Sequence, residues 1–134
     1  MKKVMAVFAA LMLALSWGLP APAYAKDLVI EKKAGDYGVE VKIDKNPPIA
    51  GENSIEVEIK DASGKYVTDA KVVVEYSMPA MPGMPPMNYK TEAELKGYDY
   101  KAKMNLSMRG QWNIAVKITR LGKTATAKFN IDAY

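Results

Sequence analysis

Apolar and polar side chains alternate with period two through almost the whole chain beyond residue 35, and such a segment buries one face only as a β-strand. Tyr37, Val39, Val41 and Ile43 alternate with Gly38, Glu40 and Lys42, and Ile55, Val57 and Ile59 with Glu56, Glu58 and Lys60. Val72, Val74 and Tyr76 form the next row. The second half continues with Tyr89, Thr91, Ala93 and Leu95, then Tyr98, Tyr100, Ala102, Met104, Leu106 and Met108. Trp112, Ile114, Val116 and Ile118 follow, then Ala125, Ala127, Phe129 and Ile131, and a short first strand is expected near Leu28 to Ile30. Turn residues separate the rows: Ala34-Gly35-Asp36, Asn46-Pro47-Pro48 with Gly51, Asp61 to Gly64, Lys96-Gly97, Arg109-Gly110 and Leu121-Gly122. This pattern predicts an all-β, immunoglobulin-like antiparallel β-sandwich of seven to eight strands. Tyr100-x-Ala102 then reads as the start of strand F, with Tyr100 as a corner tyrosine.

The first 25 residues are of another kind. Lys2 and Lys3 precede an unbroken apolar run from Val4 to Leu15, and Ala23 and Ala25 flank Tyr24. That is the composition of a secretory signal cleaved after Ala25, with an apolar run too short for a comfortable membrane span. The expected working protein is therefore one domain over residues 26–134, exported to the periplasm, with no membrane span once the signal is removed. The formal charge of +4 falls to +2 without Lys2 and Lys3, and the remaining charges are interleaved, which argues against nucleic acid as a partner.

The chain has no cysteine and no histidine. It therefore has no disulfide and no thiol or imidazole nucleophile, and it lacks the usual ligands for zinc or blue-copper sites. Glu56 and Glu58 share a strand face with Lys60, which reads as a charged surface row. No phosphate loop or organic-cofactor motif is present. These absences point away from an enzyme.

One segment stands apart. Between Tyr76 and Tyr89, methionines fall at positions 78, 81, 84 and 87 with prolines between them, four of the nine in the chain. Proline favours an extended path with about 3 residues per turn, which aligns every third side chain. Pro82-Gly83 fits the central positions of a type II turn and brings Met81 and Met84 together. Thioether sulfur is soft and neutral, so it selects Cu(I) or Ag(I) over hard ions. Met81 and Met84 are the expected ligands, helped by Met78, Met87 or Met108. If consecutive strands reverse direction, the segments 46–51, 77–88 and 107–110 share one end of the sandwich. Two other readings stay open at this level: an apolar contact for a protein partner, and a simple lid over the core, into which Met78 and Met87 continue the inward rows. Trp112 is expected inside.

Pro48-x-x-Gly51-x-Asn53, Asp61 to Val72, Met78-Pro79-x-Met81 and Gly97-Tyr98 leading into Met108-Arg109-Gly110-Gln111-Trp112 together resemble the YtkA-like domain family, which is related to FixH-type proteins. The resemblance spans roughly Gly35 to Tyr134. It implies an exported sandwich domain associated with copper handling, oxidase assembly or metal efflux, with an envelope component as partner. The chain departs from FixH-type members in its expected loss of an N-terminal anchor, which favours a soluble carrier. A non-catalytic interaction module docking its Met-rich loop on an envelope complex is the alternative.

Overall fold

A computed structural model describes residues 27–134; the expected signal segment and its cleavage site lie outside them. Eight strands follow in chain order: β1 (Leu28–Ala34), β2 (Tyr37–Ile43), β3 (Gly51–Lys60), β4 (Lys71–Met78), β5 (Met87–Lys96), β6 (Asp99–Leu106), β7 (Gly110–Arg120) and β8 (Lys123–Ala133). Among the described residues no helix is long and apolar enough to cross a membrane. Neighbouring strands are antiparallel throughout, in the order β1-β2-β3-β6-β5-β4-β7-β8. The expected all-β sandwich is thus what forms. Strand β1 runs further than expected, to Ala34, because every residue from Leu28 onward finds a partner on β2.

The eight strands make one continuous sheet folded on itself, and β5 is the fold line. Its first part, Met87 to Ala93, pairs with β4. Its last part, Glu94 to Lys96, pairs with β6. Strands β2-β3-β6-β5 and β4-β7-β8 then correspond to the two layers of an immunoglobulin-type sandwich. Between the layers lie the alternating rows read from the sequence, with Val41, Ile43, Ile55, Val57, Ile59, Val74, Met104, Leu106, Val116 and Ile118 fully buried. Each such side chain contributes on the order of 1.5–3 kcal/mol by leaving water. The opposite faces carry ion pairs in solvent: Glu56 with Lys101 at 3.4 Å, Glu58 with Lys60 at 3.7 Å and Glu75 with Lys117 at 3.0 Å.

Tyr100 anchors the β3–β4 connection: its hydroxyl donates to the Val67 carbonyl at 2.9 Å and accepts from the Ala70 N–H at 3.1 Å, a long-range tie rather than the few-residue bond of the expected corner tyrosine. Burial raises its phenol above the ordinary value. Its strand, however, is not the expected one. β6 pairs with β3 and β5, the position of strand E, while strand F corresponds to β7. The two-residue motif therefore misassigned both the strand and the corner role, because strand order depends on long-range pairing.

Candidate functional site

The methionine segment is the β4–β5 hairpin. The pairing of Tyr76 with Tyr89 and Met78 with Met87 continues in the same register to a bridge between Met81 and Met84 at the tip. There the Met84 N–H donates to the Met81 carbonyl at 2.8 Å and the Met81 N–H to the Met84 carbonyl at 3.2 Å. Pro82 and Gly83 fill the turn. Gly83 has φ +79°, the left-handed value that the third residue of a type II turn requires. A pair that exchanges both hydrogen bonds holds its α-carbons about 5.5 Å apart with side chains on one face. The expected turn is therefore present, and it places the two methionines side by side.

The five expected ligands separate into distinct environments. Met81 and Met84 are 41% and 38% exposed, while Met78 is only 2% exposed. The methyl carbon of Met78 lies 3.2 Å from where a β-carbon at position 110 would stand, so it fills space that Gly110 leaves free. Met87 is half-buried, and its sulfur accepts the Ser107 hydroxyl at 3.3 Å. Met108 is half-buried against the core. Only the tip pair is both joined and open to solvent.

The base of the hairpin is keyed into the fold by aromatic packing. Trp112 is fully buried, as expected, and its indole N–H donates to the Met108 carbonyl at 3.0 Å. The Met108-x-Gly110-x-Trp112 motif thus ties the β6–β7 turn beneath Met78. Tyr76 stacks on Tyr89 with centroids 5.4 Å apart, and Trp112 lies 6.1 and 6.2 Å from the two rings. The sequence reading missed this aromatic floor. Its signal was the pairing of Tyr76 with Tyr89, visible only once the hairpin register is known.

The three segments expected at one end do meet there. Ser107 touches Met87, Gly51 pairs with Leu106, and the terminal residue Tyr134 exchanges backbone hydrogen bonds with Pro48 and Ala50. Asn53, the one buried polar residue among the described residues, holds the 49–51 bend through its side-chain amide. Among the described residues no group of three or more carboxylates gathers to hold a hard ion. A concavity of about 730 Å³ lies on the outer face of β4, β5, β7 and β8, lined by Ser77, Asn88, Asn113 and Asn130 with Glu75, Lys90, Lys117 and Lys128.

Comparison with known proteins agrees with this architecture. The family described as YtkA-like matches residues 31–117, more than half of the sequence, and the chain belongs to that family. Among solved structures, the crystal structure of the PmoD soluble domain from Methylocystis sp. ATCC 49242 (Rockwell) is similar, with a TM-score of 0.53 at 12% identity, over 78% of this chain and 97% of that one. At that identity the likeness concerns the fold. No curated protein matches.

Proposed function

We propose that this YtkA-like domain is a non-catalytic periplasmic accessory that carries Cu(I) or Ag(I) on the thioethers of Met81 and Met84, in copper or heavy-metal handling. The observation that carries the reading is the tip bridge. Two soft, uncharged donors are held side by side and open to water, in a chain without cysteine or histidine. Neutral thioethers do not compete with protons, so binding persists across ordinary pH. Two such ligands hold an ion weakly, which suits loading and release to an envelope partner of the metal-efflux or oxidase-assembly kind that the family resemblance implies. Export and cleavage after Ala25 supply the compartment in this reading. Titration with Ag(I) while following methionine methyl resonances tests it. Met81 and Met84 shift first, and unmoved signals from both end the metal reading.

The exposed tip also favours a second reading. The segment Ser77 to Asn88 has no charged residue, and with Tyr89 at 42% exposure it forms an apolar surface for a protein partner. Replacing Met81 and Met84 together by leucine separates the two. Leucine keeps the apolar contact and removes the sulfur, so a docking module retains function and a metal carrier loses it.

A further inference from the structure

The coordination available at the tip is incomplete within one molecule. Met78 and Met104 are 2% and 0% exposed and belong to the core. The Met87 sulfur already accepts a hydrogen bond from Ser107, and Met108 packs against the core. Among the described residues that leaves two thioethers for a closed-shell monovalent ion that accommodates further soft ligands. The open side faces solvent. The sequence has no cysteine or histidine to fill it.

We propose that a single Cu(I) or Ag(I) ion bridges two copies of this chain, each contributing Met81 and Met84, so that the hairpin tips form a two-fold, ion-dependent interface. The inference rests on the thioether reading above and adds the occupant of the open side. A second copy brings the missing donors in matching geometry, because a two-fold contact presents the same patch from both sides. The tip bridge lies beyond the last β4–β5 strand pair, so it is the part of this hairpin that another molecule meets first. Four prolines, at 79, 82, 85 and 86, restrict its backbone. The uncharged segment from Ser77 to Asn88 lets two tips approach without like-charge repulsion. A contact between two hairpin tips is far smaller than the roughly 800 Å² per partner of a stable interface, so the tips alone do not hold two copies together without the ion.

The experiment combines calorimetric titration of the purified protein with Ag(I) and sedimentation velocity at each ratio. The expected result is saturation at half an equivalent with a doubling of mass, followed by return to monomer in excess Ag(I) as each tip takes its own ion. Replacing Met81 and Met84 by leucine abolishes the ion-dependent dimer while the far-ultraviolet circular dichroism is unchanged. A one-to-one monomeric complex at every ratio overturns the bridge and leaves the thioether site standing. A dimer that forms without Ag(I) also overturns it. If the leucine variant binds Ag(I) as the parent does, or the parent binds none, the thioether reading falls and the bridge with it.

Discussion

Gly83→Ala isolates the contribution of the tip turn to metal binding. At φ +79° an alanine pays the left-handed penalty of roughly 1–2 kcal/mol. No heavy atom lies within 4 Å of the added carbon, so there is no clash to confuse the result. Opposing the strain are the two hydrogen bonds between Met81 and Met84. Each contributes about 0.5–1.5 kcal/mol net. The penalty is therefore comparable to what holds the turn, and the paired arrangement becomes a minority state or nearly so. Apparent affinity falls with the competent fraction. With strain and hold comparable the fraction falls to about one half, a drop of about 2-fold, rising to about 5-fold where the strain exceeds the hold by about 1 kcal/mol. Gly64→Ala is the control: Gly64 has φ +84° with nothing within 4 Å, in the turn after β3 at the other end of the sandwich. It carries the same strain without touching the site. Calorimetric Ag(I) titration of both variants decides the matter. Parent-like affinity in Gly83→Ala, or an equal loss in Gly64→Ala, would refute the claim that the turn assembles the ligands.

Two further expectations separate structural from functional side chains. Met78→Ala removes a buried side chain and lowers stability by about 2–5 kcal/mol in denaturant unfolding, whereas Met81→Leu changes it by less than about 0.5 kcal/mol. Tyr100→Phe leaves the Val67 carbonyl and the Ala70 N–H without their partner and costs about 1–3 kcal/mol. Because the folded-state phenol is raised, its contribution is complete below the ordinary tyrosine range near pH 10 and is lost as pH rises through the higher folded value. Alkaline melts should therefore lose stability more steeply in the parent than in the phenylalanine variant.

Alternation located strands β2 to β8, since period two is imposed by the backbone and needs no tertiary information. It failed where burial depends on which strands face each other. Tyr89 and Leu95 continue the inward row of β5 yet are 42% and 41% exposed. The cause is that β5 leaves one layer for the other after Ala93, so part of its row has no opposing sheet. Val67 is buried although it lies in a connection, because Tyr100 holds it there from a distant strand. At the site, Pro82-Gly83 was legible since turn chemistry is local. The separation of Met78 from Met81 was only partly so: parity put Met78 inside, but the space it occupies exists through Gly110, more than thirty positions away.

The passage of β5 between layers also has a mechanical side. Seven residue pairs fasten it to β4, but only three, Glu94–Lys101, Leu95–Tyr100 and Lys96–Asp99, fasten it to β6. A load that pries the layers apart therefore concentrates on the shorter joint. Under tension applied through the methionine tip, β5 should peel away with β4 as one ribbon, and the first amides to lose protection should be those beside the Gly97 turn.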